Sequence, residues 1–420
     1  MAVALSRVST RPLLGYCRWA LAVTVACLPL YVVRYRVGPI PTTLLETLIL
    51  LTTALYVASL VQAGSWRLRR TPLEIPTALL LLAAIISVFV SGDHVGALGL
   101  LRAYFLEPVV LFYIGLDVLD TAKDMRVIAG AFVAGATLFA ILNLGAWAIA
   151  LAERQPIVLS NAPEALYASP NAVALFLEPA VAIAAGFAMY ADSRTDRGAA
   201  LIALLFLLPS MVLTLSRAGL LTLAVLALVA VVTIVRRRIK LLLLGGAVAA
   251  GVVISQVPWV ARRMANQFDP GNANNTFEGR LRIWKDTLHM LRDHPVFGAG
   301  LRAYTQVVTP YVTDKDRYGV PLYAHDIWLS MWSEIGLLGL VAFIALVALL
   351  LWKGWRGFAS ARGFAKALLW GTSAAFVAIA VHGTFDTPYF KNDLSVEFWI
   401  IAALELAALA LATREPGLQR

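Results

Sequence analysis

Gly279-Arg280-Leu281-Arg282-Ile283-Trp284, then His294-Pro295-Val296-Phe297-Gly298-Ala299-Gly300, then Ala324-His325-Asp326, decide how the chain is read. All three lie within residues 258–326, the only long polar segment of a sequence whose other segments read as membrane helices. Directly after them an apolar run carries Glu334-Ile335-Gly336-Leu337-Leu338-Gly339. Inside the polar segment, Leu281, Trp284, Leu288 and Leu291 recur at helical spacing from about Phe277 to Arg292, and Pro295 stops the pattern. This predicts an amphipathic helix on the membrane or on a helical bundle.

The rest of the chain sets the class. Of 420 residues, 60% are hydrophobic and 14% charged, with a mean hydropathy of +0.77. A soluble domain cannot hide that much apolar surface, so residues 1–420 are expected to form one all-α polytopic transmembrane domain. Each span needs roughly 20 apolar residues. Twelve are expected, near 13–33, 40–61, 73–91, 104–119, 127–150, 171–190, 199–215, 218–235, 241–257, 327–351, 365–382 and 394–412. Strand alternation is absent, which argues against a β-barrel. The net charge of +10 would suggest nucleic acid in a soluble protein. Here short loops hold most of the charge and membrane lipids account for it, so no nucleic-acid partner is expected. Cys17 and Cys27 share the first apolar segment and imply no disulfide framework. Arg7, Arg11 and Arg18 precede or open that segment without a small-residue cleavage site, which reads as an uncleaved first span.

Orientation follows from the Lys/Arg bias. With both termini cytoplasmic, inner segments hold 20 Lys/Arg and outer ones 15, nine of them in the long loop. Long loops count weakly, so the fair comparison is 20 against six. The 258–326 loop, between spans nine and ten, then lies outside. So do Arg217 and the His382-Gly383-Thr384-Phe385-Asp386 stretch.

These outer residues carry the candidate chemistry. Ser216 is placed to cap the eighth span, whose free N–H groups and positive dipole end suit a phosphate. Arg217 adds a fork matched to phosphate oxygens, or else snorkels to headgroups. Arg280 sits one turn before Trp284, beside the apolar stripe, and could aim into the bundle. Arg282 and Lys285 read more readily as a solvated face. His325 could take a proton from a hydroxyl. Asp326 either orients His325 or caps the following helix. Asp386 could orient an arginine, bind sugar hydroxyls or pair with Arg217. Glu46, Glu107 and Glu178 fall in apolar spans, where acids are functional candidates or partners of buried polar groups; Arg102 could pair with Glu107. Metal-ligand spacing is absent.

The ordered set resembles the O-antigen ligase and O-antigen polymerase family. The resemblance rests on Ser169-Pro170-Asn171-Ala172, Ser216-Arg217-Ala218-Gly219, and Gly279-Arg280 with Trp284. It continues through His294-Pro295 with Phe297-Gly298 and Gly300, Ala324-His325, and Glu334-x-Gly336-Leu337-Leu338-Gly339. It covers about the C-terminal 60% of the chain. The family pattern usually has Asn where this chain has Asp326. The resemblance implies a GT-C-like glycosyltransferase of the bacterial inner membrane, inverting and independent of metal or other cofactor. Its donor would be a glycan on undecaprenyl diphosphate at the periplasmic side. A ligase passes the glycan to lipid A–core; a polymerase passes it to another lipid-linked glycan. Carried over, Arg217 and Arg280 hold the diphosphate and His325 serves as base or orients the acceptor. Ser216, Arg282, Trp284 and Asp386 complete the expected substrate-binding set. The rival from another class is a secondary transporter or flippase of lipid-linked glycans. It fits twelve spans, but would gather its candidate residues at the midplane between matching halves.

Overall fold

In lipid, an apolar segment satisfies its backbone only as a helix or a closed barrel, and the described segments are helical. The computed structural model describes residues 12–64, 69–155, 162–234, 276–313, 315 and 319–414. In chain order the helices are α1 (Pro12–Ala26), α2 (Leu44–Ala63), α3 (Glu74–Val90), α4 (His94–Val118), α5 (Ala122–Ala152) and α6 (Pro170–Tyr190). They continue as α7 (Arg194–Leu213), α8 (Arg217–Ile234), α9 (Thr276–Asp293), α10 (Tyr304–Val308), α11 (Ile327–Ser360), α12 (Gly363–Gly383) and α13 (Asn392–Arg414). Among the described residues nine helices are long and apolar enough to cross a membrane, and α1 and α3 are shorter apolar helices. Each expected span but the ninth coincides with one of these. The ninth, 241–257, lies outside the described residues, as do the 236–240 basic run and loop residues 258–275.

Two boundaries differ from expectation for local reasons. The second span starts at Leu44, not residue 40, because Arg34–Val37 and Ile40–Thr43 pair as an antiparallel hairpin. Pro39 and Pro41 lack the N–H a helix needs there. Glu46 is therefore no mid-span acid: it closes a capping box with Thr43. The fourth span begins ten residues early, at His94, and runs through a π-turn over Leu101–Leu106. Pro108 follows, without the N–H that would bond Tyr104 in a regular helix.

α6, α12 and α13 are buried on nearly every side and form the centre. There α6 and α12 cross so closely that a Cβ on Gly186 would strike the backbone of Ala367 and Gly371. Small residues let backbones approach in this way where lipid gives helices no hydrophobic reason to associate.

The polar loop is docked by its glycines. α11 is two helices joined at Ile335 and Gly336, and Gly336 has φ +75. Into that break the loop donates and accepts backbone bonds: Ala299 N–H to Ser333 O (2.7 Å) and Leu337 N–H to Val296 O (2.9 Å). Trp332 Nε1 also donates to Pro295 O at 2.7 Å. Gly298, at φ +64, has no room for a Cβ, which would meet the carbonyl oxygens of Trp332 and Ser333. Gly300 abuts the end of α3 in the same manner, against Val90 and Ser91. The predicted amphipathic helix is present as α9, but its buried face is rotated. Thr287, Met290 and Leu291 are buried while Leu281 and Leu288 are exposed. The cause is α10, whose Tyr304 covers that face and shares a 2.7 Å hydrogen bond with Thr287. Asp286, next to Lys285 on α9, is buried and accepts from Thr313 Oγ1 at 3.2 Å.

Gly298→Ala is expected to destabilise the protein by more than about 1–3 kcal/mol, since it combines a left-handed φ with a backbone clash. Gly145→Ala, with open space at its Cβ, is expected to be neutral or stabilising. Thermal unfolding of the two variants in one detergent separates them; equal stability contradicts the docking described.

Candidate active site

Asp386 sits in the short loop between α12 and α13 and is buried. Four other segments converge on it. The Asn171 side-chain amide, in the first turn of α6, donates to Asp386 Oδ2 at 3.0 Å. Arg280, from α9, brings Nη2 within 4.0 Å of the same oxygen. His325 Nδ1 lies 3.7 Å from Oδ1, beyond hydrogen-bond length and within ion-pair range. The Asp386 Oδ1 also accepts from the Thr387 N–H at 2.9 Å. Ser216 Oγ donates to Asn171 Oδ1 at 2.7 Å and so joins the start of α8 to the cluster.

Local sequence explains how each side chain is held. Ser216 caps α8, accepting from the Gly219 N–H at 3.2 Å. Arg217 is thereby the first helical residue, exposed beside free N–H groups. Asp326 caps α11, accepting from the Leu329 N–H at 2.7 Å, so of the two roles open to it the structure assigns the cap. His325 Nδ1 faces Asp386 instead. Residues Leu215 (φ +55) and His325 (φ +50) both take left-handed turns just before their caps. Such backbone costs of order 1 kcal/mol or more and recurs at functional sites. Tyr323 packs on the His325 ring, centroids 4.2 Å apart. Trp284 faces Phe385 at 6.4 Å and fixes α9 on the Asp386 loop. Its indole N–H is buried with no hydrogen-bond partner among the described residues.

Ser216, Arg280, His325 and Asp386, read separately from sequence, thus meet in one network, with Arg217 and Trp284 flanking it. Arg282 is placed otherwise: its guanidinium donates to Glu278 Oε1 at 2.6 Å, one turn back on α9. The apolar-span acids are also accounted for. Glu178 is paired with His382 Nδ1 at 2.7 Å. Arg102 bridges Glu46 (2.9 Å) and Glu107 (3.3 Å). Asn171 was missed as a site residue. Its signal was an amide in the first turn of a helix whose cap is already supplied by Ser169, which accepts from Ala172 N–H.

A cavity of about 460 Å³ reaches Asp386. Its walls include Tyr104, Tyr323 and Phe390, with Arg302, Lys391 and Glu334 as charged groups. Rings beside a few fixed polar groups suit a sugar better than an apolar ligand. Burial pushes the Asp386 carboxyl up, but the neighbouring His325 and the charges of His325, His382 and Arg280 outweigh it. The group is held well below the usual carboxylate range. The site therefore keeps a fixed negative charge beside the Arg280 guanidinium and the His325 imidazole.

A family model described as Wzy_C, O-Antigen ligase, matches residues 200–344. That segment holds Ser216, Arg217, Arg280 and His325; Asn171 and Asp386 come from outside it. No curated protein matches the chain.

The two aspartates respond to pH in opposite senses. Asp386, depressed in the fold, contributes stability above the unfolded carboxylate value of about 3.9, lost as pH falls through its lower folded value. Asp326 is raised to about 6 by burial, partly offset by backbone donors Leu329 and Trp328. Its neutral form favours the fold, so its contribution is lost as pH rises through about 6. Asp326→Asn keeps a capping oxygen and removes the buried charge. Thermal unfolding at about pH 7.5 is expected to show a gain of roughly 1–3 kcal/mol that disappears near pH 4. A destabilised variant at the higher pH contradicts this assignment.

Proposed function

We propose that this chain, a member of the O-antigen ligase and polymerase family by its matched domain, moves a glycan from undecaprenyl diphosphate to an acceptor hydroxyl at the Asp386 site. The site faces the periplasm in this reading, in agreement with the Lys/Arg bias, and the chain spans the inner membrane with both termini cytoplasmic. The observation that carries the proposal is the convergence of Arg280, His325, Asn171 and the capped start of α8 on one buried carboxylate.

The chemistry follows from the residues. Asp386, at His325 Nδ1, favours the tautomer with the proton on that nitrogen and leaves Nε2 as acceptor. The acceptor hydroxyl attacks the anomeric carbon and gives its proton to Nε2. The bond from that carbon to the diphosphate oxygen breaks, and the electron pair leaves on the diphosphate. Attack from the face opposite the leaving group inverts the anomeric centre. Negative charge develops on the leaving oxygens, where Arg217, Arg280 and the N–H groups opening α8 oppose it. The 460 Å³ cavity gives the acceptor glycan its place, with Tyr104, Tyr323 and Phe390 as ring faces. With lipid A–core as acceptor the enzyme is a ligase, the reading we adopt; with a second lipid-linked glycan it is a polymerase. The position of the cluster at helix ends, away from the mid-membrane, favours an enzyme over a transporter.

Arg217→Ala, Arg280→Ala and His325→Ala are each expected to lower transfer by about 10²–10³-fold while the protein stays folded. The assay is product formation by purified protein from an undecaprenyl-diphosphate glycan. Full activity in the folded arginine variants removes the diphosphate assignment. Because arginines carry the charge in this reading, EDTA is expected to leave transfer intact; a strict metal requirement contradicts it.

A further inference from the structure

The far ends of α11 and α13 enclose a second cavity. α11 starts beside His325 and α13 starts just after the Asp386 loop, so their C-terminal ends lie at the opposite membrane face. There a cavity of about 600 Å³ opens between them, the end of α4 and the segment before α3. Four cations line it, Arg69, Arg70, Lys353 and Arg356, and no carboxylate among the described residues does. Arg69 is committed, with Asp120 at 3.0 Å and Asp117 at 3.9 Å. No carboxylate among the described residues pairs with Arg70, Lys353 or Arg356. Lys353 and Arg356 instead lie over the ring of Trp352, at 5.3 and 5.6 Å. The remaining wall is mainly apolar, with Leu116 from α4 and Leu406 from α13, beside the hydroxyls of Thr71, Ser360 and Thr413.

Positive charge at this face is expected from topology alone. A cavity is not: scattered topogenic charges need no concave apolar wall beneath them. Cations at a rim, an interfacial tryptophan and an apolar wall running between helices match an amphiphile with an anionic head. We infer that this cavity binds an anionic phospholipid of the leaflet opposite Asp386, its phosphate held by Arg70, Lys353 and Arg356 and an acyl chain lying along Leu116 and Leu406. A free phosphate would use the cations and leave the apolar wall empty.

Native mass spectrometry of the purified full chain tests this, with phosphatidylglycerol and phosphatidylcholine added at equal concentration. The expected result is preferential retention of phosphatidylglycerol, undiminished by millimolar inorganic phosphate. The triple variant Arg70→Gln, Lys353→Gln, Arg356→Gln is expected to lose about tenfold or more of that retention. A control triple at the same face, Lys123→Gln, Arg194→Gln, Arg197→Gln, is expected to keep it. Equal binding of both lipids by the unmodified protein overturns the proposal, and this readout needs no variant to fold. So does equal loss in the two triples, which reduces the effect to surface charge, or displacement by phosphate, which leaves a phosphate site without a lipid.

Discussion

An ionised carboxylate buried at the rim of a membrane bundle cannot stand without partners, because burial of an unpaired charge is prohibitively costly. Asp386 is such a group, and this end of the protein is arranged around its requirement. An amide from α6, a guanidinium from α9 and an imidazole from the turn before α11 all reach it. These segments are distant in sequence. The carboxylate gives each a reason to be at one place, and so assembles a guanidinium, an imidazole and a capped helix start in a single pocket. Structural satisfaction and the proposed catalytic arrangement have the same origin here.

That assembly depends on a second constraint, the fit of the polar loop into α11. The break at Ile335 and Gly336 exposes carbonyl and N–H groups that an unbroken helix would have used internally. Backbone from Val296 to Ala299 takes them up. Gly298 and Gly336 are needed because backbone lies where their Cβ atoms would be. The loop is thus held by backbone bonds to a membrane helix, and α9 inherits a fixed position from which Arg280 reaches Asp386. Further down α11, the same helix supplies Lys353, Arg356 and Trp352 to the opposite face. One element therefore spans both proposed sites.

Much of this was legible in the sequence. Runs of about 20 apolar residues are unambiguous when lipid is the solvent, and the described helices follow them. Ser216, Arg217, Arg280, His325 and Asp386 could be singled out because charged or capping residues at helix ends have few ordinary reasons to be there. What sequence did not give was pairing. Nothing in the spacing tells that His325 is served by Asp386, sixty-one positions on, when Asp326 is its neighbour. Nor could periodicity fix the buried face of α9, because α10 covers Met290 and Leu291 and leaves Leu281 and Leu288 outside. Arg282 reads more readily as a solvated face than Arg280 does, and two positions of helical rotation send it to Glu278. The glycine motif was visible, but its use, backbone docking on a broken helix, is a tertiary fact.

The account stands or falls on Asp386 as the group that orients His325 and gathers the site. The most direct measurement is the single-turnover transfer rate of purified Asp386→Asn beside the unmodified protein, with donor supplied at saturation and folding checked by thermal unfolding. Asparagine keeps the shape and still accepts from Asn171, but removes the charge. The account predicts a folded protein whose transfer rate is lower by roughly 10²–10⁴-fold. A folded variant that transfers at the unmodified rate would contradict it, and would leave Asp386 as a structural partner only.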